Sequence, residues 1–311
     1  MKKEKILIYG DIHLSSGGYG RYKNYPKQTL YYYNIIADKA EEIGATCVIG
    51  LGDFTSGRFN TLEYRLEVEK ILTRFQKATK NKHYMIKGNH DTAPYGMTEY
   101  DYYIEKGKIQ KAETLIFGKL KLNLINYGEH LEKEILIEKD KYNVVLAHGY
   151  FKNNNKKNTN PVVEDAVDLV TFTKWSGVEL LISGHIHNYD VFETYIEKAK
   201  KPIKVIYPGS LTRPTCKNGE IPKEGKIIVL ESDSKNVKII EISIPLLSSE
   251  ETFSLSKKKN NNNNLNLYDI LDKLNTYKHG GDDPENLILT LEGVDIKYKE
   301  KAIELLKNAL K

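Results

Sequence analysis

From residue 5 to about residue 230, short apolar runs alternate with longer amphipathic stretches, the pattern of strands separated by helices and loops. The runs Lys5–Tyr9, Thr46–Leu51, Lys82–Ile86, Leu122–Asn126, Asn143–Ala147, Leu180–Ser183, Lys204–Tyr207 and Lys226–Glu231 are predicted as strands. Most are nearly continuous in Val, Ile and Leu, as buried central strands are. Between the first two, the spacing predicts a helix over Gln28–Glu42 with Leu30, Ile35, Ile36 and Ala40 on one face. Its triple Tyr31, Tyr32, Tyr33 reads as one buried and two half-exposed helix residues rather than a binding stripe. The core is therefore α/β. At Ser254–Asn264 the composition changes to SLSKKKNNNNN, which has no apolar periodicity and reads as a solvated linker. Beyond it, Leu267–Leu274 looks helical, Leu287–Leu291 looks like a strand ended by Gly293, and Tyr298–Leu310 looks like an amphipathic helix. The expected organisation is a main domain over 1–250, a linker over 251–264 and a small α/β module over 265–311, with no internal repeat.

Composition narrows the classes. A chain of 311 residues that is 40% hydrophobic and 10% aromatic holds enough apolar material for a sizeable core, which excludes wholesale disorder. With 47 Lys plus Arg against 42 Asp plus Glu, the net charge of +5 permits a polyanionic partner without demanding one. Two cysteines, Cys47 and Cys216, cannot make a disulfide framework or a thiolate zinc site, and Cys47, inside an apolar strand, reads as core packing. The apolar run Ile6–Tyr9 is too short for a signal-peptide core or a membrane span. A soluble, cytoplasmic chain is the expectation.

The polar residues that punctuate the strands carry the chemistry. Asp11 and His13 follow the first strand, Asp53 the second, Asn89, His90 and Asp91 the third, His148 the fifth, and His185 and His187 the sixth. Carboxyl ends of strands are where the loops of an α/β sheet converge on a ligand. An Asp after a strand is commonly only a turn former or helix cap, and a lone His commonly satisfies local hydrogen bonds. Five such features in order on five strand ends form one site. Its mixture of imidazole and carboxylate suits Zn, Mn or Fe rather than Mg or Ca, and there are ligands enough for two ions. A carboxylate shared by two ions about 4 Å apart would let them hold a hydroxide and clamp a phosphorus centre. Gly10, Gly52, Gly88 and Gly184 precede these residues and are expected to allow tight turns.

The ordered set GDIH at Gly10–His13, GD at Gly52–Asp53, GNHD at Gly88–Asp91, His148 in AHG, and GHIH at Gly184–His187 resembles the calcineurin-like metallophosphoesterase superfamily over roughly residues 5 to 230. The resemblance implies a β-sandwich flanked by helices and a dinuclear centre. In it Asp11, His13, Asp53 and His187 hold one ion, while Asp53, Asn89, His148 and His185 hold the other. It also implies that His90 is no ligand but protonates or stabilises the leaving oxygen, with Asp91 orienting its ring. The chemistry agrees, since an imidazolium beside a departing alkoxide acts as a general acid.

The layout beyond GHIH is similar to the SbcD-type DNA repair and recombination exonucleases and their phage relatives. It has an apolar strand, then YPGSLTRP at Tyr207–Pro214, GKIIVLE at Gly225–Glu231, and a C-terminal module with NLILTLEG at Asn286–Gly293 that looks like a DNA-facing cap. This resemblance implies a manganese-dependent exo- or endonuclease, with Fe2+, Zn2+ or Mg2+ as alternative ions, DNA as partner, an SbcC-type ATPase subunit, and a homodimer formed through helices near the start of the catalytic domain. The chain departs from the family in ending soon after the LTLEG strand, where these nucleases carry the helical segment that grips the ATPase. Residues Lys257–Lys311 hold ten Lys against nine acidic residues, a net of +1 and a weak footprint for DNA. The loop Gly18–Pro26 reads as an exposed loop whose Arg21, Tyr22 and Lys23 would suit a nucleic-acid strand, and Lys152–Asn160 reads as a solvated run or a phosphate-contacting lid. The alternative reading is a small-molecule phosphodiesterase or phosphatase on the same metals. A non-catalytic scaffold would be expected to have lost some of these residues.

Overall fold

Side-chain alternation along β1 (Glu4–Tyr9) divides the core of the computed structural model into two layers. Leu7 and Tyr9 enter one cluster with helix residues, while Ile6 and Ile8 enter another between two sheets. The structure describes residues 3–17, 24–56, 60–93, 96–129, 134–152, 166–197, 199, 201–212, 224–247, 249–252, 299, 300 and 303. Arg21, Tyr22 and Lys23, most of Lys152–Asn160, and the linker and cap elements up to residue 298 lie outside them. The chain divides into two units, 1–254 and 255–311, and the first carries everything that follows.

The first sheet is built on β1, β2 (Cys47–Gly50) and β3 (His83–Met85), which run parallel. The second contains β4 (Thr114–Phe117), β5 (Leu120–Ile125), β6 (Tyr142–His148), β7 (Leu180–Gly184), β8 (Asp190–Thr194) and β9 (Ile203–Tyr207), in the order β4-β5-β6-β7-β9-β8. The chain then returns to the first sheet with β10 (Glu224–Ser232) and β11 (Val237–Pro245), completing the order β11-β10-β1-β2-β3. The two sheets face each other. Ile6, Ile8, Cys47 and Ile49 of one and Leu122, Leu124, Val144, Leu146 and Ile182 of the other make a single buried cluster. Cys47 is thus a core residue, fully buried. The outer face of the first sheet is covered by α1 (Tyr25–Ile43) and α2 (Leu62–Thr79). Burying each large aliphatic side chain contributes about 1.5–3 kcal/mol, so the interior of this sandwich is a large share of the fold's stability.

Helix α1 starts at Tyr25-Pro26, with proline where a missing N–H costs nothing, and stops at Gly44, whose φ of 63° is the left-handed cap geometry. Its buried stripe is Thr29, Tyr32, Tyr33, Ile36, Ala37 and Ala40, while Leu30 and Ile35 are only partly buried. Two of the three consecutive tyrosines are therefore in the core, and Tyr31 is 54% exposed. The 3.6-residue period places positions 29, 32 and 36 under the sheet and turns 31 outward.

Candidate metal centre

The parallel strands of both sheets end at one edge of the sandwich, and every motif residue within the described segments arrives there. Asp11 and His13 leave β1, Asp53 leaves β2, Asn89 and His90 leave β3, His148 is the last residue of β6, and His185 and His187 leave β7. One ligand atom from each of Asp11, His13, Asp53 and His187 lies within 4.8 Å of the others. Within this group the Nε2 atoms of His13 and His187 are 3.1 Å apart, and His187 Nε2 is 3.4 Å from Asp11 Oδ2. Beside it stands a second group. Asn89 Oδ1 is 2.9 Å from His148 Nε2 and 3.1 Å from His185 Nδ1. Asp53 links the two, with Oδ1 3.5 Å from His148 Nε2 and Oδ2 3.8 Å from His13 Nε2.

The local backbone shows why these residue types carry a cost. His13 (φ 48°), Asp53 (φ 48°) and His185 (φ 79°) all sit in the left-handed region, which an L-residue enters only when its surroundings hold it there. Of the four motif glycines only Gly52 needs its positive φ, 96°. The others serve close approach rather than the tight turns expected. A Cβ on Gly88 would land on the Asp53 main chain and carboxylate, and one on Gly184 would strike Asp11 Oδ1.

Electrostatics test whether a metal fits. Nδ1 of His148 faces the Leu51 carbonyl at 2.7 Å. A carbonyl only accepts, so in the neutral ring Nδ1 carries the proton and Nε2 presents a bare lone pair to the oxygens of Asn89 and Asp53. Lone pair against lone pair in a buried site is unfavourable until a cation lies between them. Burial pushes the Asp53 carboxyl well above its ordinary range, and the charges of Asp11 and Asp91 push it further, so these buried acids repel one another without a counter-charge. Burial also lifts Asp11, but the hydrogen bond from His187 and the charges of His148, His187 and His13 outweigh it and hold that group below the usual carboxylate range. Burial pushes the His13 ring well below its ordinary value and His185 down to about 4, leaving both neutral and able to ligate. The donor set fits divalent cations.

Two more residues shape the site. The Asp91 carboxylate accepts the main-chain N–H groups of Gly88, Phe54 and Thr55 at 3.0–3.3 Å. It therefore ties the loop after β2 to the loop after β3. Tyr127, which sequence reasoning missed, follows β5 and places its ring 6.0 Å from that of His148 and 6.1 Å from that of His185. Its only signal in the sequence was its place just after a predicted strand.

The profile of the calcineurin-like phosphoesterases matches residues 4–189, more than half of the chain. The chain belongs to that family. Calcineurin-like phosphoesterases use a dinuclear metal centre, and this member is a metal-dependent phosphoester hydrolase by family and by its ligand group. No curated protein sequence matches the chain. Among solved structures it is similar to vacuolar protein sorting 29 from Cryptosporidium parvum, with 17% identity, a TM-score of 0.36, and coverage of 78% of this chain and 99% of that one. No helix among the described residues is long and apolar enough to cross a membrane.

Proposed function

We propose that this phosphoesterase is a manganese-dependent DNA nuclease of the SbcD type, acting on DNA ends in repair or recombination. The observation that carries the reading is the pairing of a double donor set with an exposed imidazole at its rim: His90 is exposed and its ring packs edge-on against His13 at 5.1 Å. Asp11, His13, Asp53 and His187 would hold one ion, and Asp53, Asn89, His148 and His185 the second. When bound, such ions would lower the pKa of a water and stabilise charge on phosphoryl oxygens. His90 would then give its proton to the departing alkoxide, the step an alkyl ester such as DNA needs and a p-nitrophenyl ester does not. Asp53 Oδ1 accepts the His90 main-chain N–H at 2.9 Å and so holds the acid beside the donor set. The nuclease-like stretch after β9 supports the finer assignment. Ser210 donates to the Asp11 carbonyl at 2.9 Å and Thr212 to the Ile12 carbonyl at 3.1 Å, bracing the turn that carries the first motif. The same reading brings an SbcC-type ATPase and a second copy of the chain as partners to seek.

The test is a manganese-supplemented assay offering labelled linear duplex and hairpin DNA beside bis-p-nitrophenyl phosphate, with His90→Asn as control. Cleavage of DNA by the wild type, lost in the control at unchanged metal content, is the expected result. Hydrolysis of the small diester with DNA left intact overturns the nuclease and leaves a small-molecule phosphodiesterase.

A further inference from the structure

We propose that Tyr127 forms a stacking subsite for a nucleobase, or an equivalent planar ring, on the ester group that stays with phosphorus when the leaving oxygen departs. The inference rests on the phosphodiesterase reading above and adds to it the side of the substrate that is recognised.

The turn that presents Tyr127 is locked on the loop of the third motif. Lys87 N–H donates to Asn126 Oδ1 at 2.9 Å, and Tyr127 N–H donates to the Lys87 carbonyl at 2.9 Å. Asn126 itself is held by Glu129, which accepts from its main-chain N–H at 3.2 Å and its side-chain amide at 2.9 Å. Lys87 directly precedes Gly88, Asn89 and His90. The main chain at Tyr127 is thereby held against the loop that carries both a donor of the second group and the proposed general acid. Tyr127 is half-buried, its ring tilted 32° to the His185 ring and 74° to that of His148. His90 stands at the other group, against His13. A phosphodiester lying across the donor set with its leaving oxygen at His90 directs its second ester group towards Tyr127. A half-buried phenol ring beside a phosphoester site is the kind of side chain that takes up planar rings by stacking, whichever base they carry.

Two substrates isolate this contact. Thymidine 5′-p-nitrophenyl phosphate and methyl p-nitrophenyl phosphate release the same p-nitrophenolate and differ in the retained group. The wild type is expected to prefer the thymidine ester in kcat/KM, chiefly through KM. Tyr127→Leu is expected to lower that preference about five-fold or more, the smaller end of what losing one base–aromatic stack costs. Tyr127→Phe and Tyr127→Trp are expected to retain it. Equal losses on both esters, an unchanged ratio, failure of Phe or Trp to retain it, or loss of metal from Tyr127→Leu each overturn the subsite, the last because the ring would then serve the ligand histidines. If the wild type hydrolyses neither ester, the phosphodiesterase reading fails, and calorimetric titration of the manganese-loaded protein still decides the subsite. Thymidine 5′-monophosphate should bind Tyr127→Leu more weakly than wild type while methyl phosphate changes less, and equal changes overturn it.

Discussion

The Asp91 carboxylate accepts the main-chain N–H of Phe54 through both of its oxygens, at 3.0 and 3.2 Å. Because Phe54 follows Asp53 and Asp91 follows Asn89 and His90, this one buried side chain fixes the spacing between the shared carboxylate and the third motif. Asp91→Asn turns an amide N–H₂ towards N–H donors. The variant should lose about 1–3 kcal/mol of unfolding free energy, read by denaturant titration of the metal-free protein. Its manganese affinity should drop about ten-fold or more, as when a partner of the ligands is lost. Wild-type values for both would show that the loop tie is dispensable.

On the proposed ligand set Asp53 serves both ions, so Asp53→Asn should lower metal content from two per chain towards none, measured by elemental analysis after dialysis. A variant retaining two ions would remove the bridging role. Added manganese should raise the melting temperature of the wild type through mass action, and that rise should vanish in the variant.

His83 on β3 is 1% exposed, and burial pushes its ring down to about 3 from an ordinary 6.5. Below pH 6.5 the unfolded chain takes up a proton that the native protein refuses until about pH 3. Stability present above 6.5 is therefore lost as the pH falls through that window. His83→Leu should abolish about 2 kcal/mol of the loss between pH 7 and pH 5 in metal-free protein. Parallel stability curves for the two proteins would contradict this.

The Tyr103 hydroxyl is buried and has no hydrogen-bond partner among the described residues, while its ring packs edge-on against Phe54 at 5.7 Å. Tyr103→Phe keeps the ring and removes the orphaned group. Its unfolding free energy should equal the wild type's or exceed it by up to about 1 kcal/mol, and a clear loss would mean that the hydroxyl is paired in solution.

The eight predicted strands all form, and all but β3, an edge of the first sheet, lie inside a sheet, where continuous Val, Ile and Leu runs announce burial on both faces. The three strands that pattern reading passed over are β4, β8 and β11, and each is an edge of its sheet. An edge strand is half in water. In β11, for example, Val237, Ile239, Ile240 and Ile242 alternate with Lys238, Glu241 and Ser243 and are not fully buried, so no apolar run marks it out.

For the site, sequence alone determined the chemistry: which side chains could ligate, in what order they leave the strands, and which imidazole stands among them as a candidate acid. Residue type and place at a strand end suffice for that, because a strand's direction decides where its last side chain emerges. Only the tertiary structure decided which groups share an ion-sized space, that Asp53 lies between them, that Gly88 and Gly184 are glycines for want of room, that Asp91 ties two loops, and that Tyr127 stands at the second group. Those facts depend on how one sheet is laid on the other, and that is set by the summed packing of the two inner faces rather than by any local run of residues.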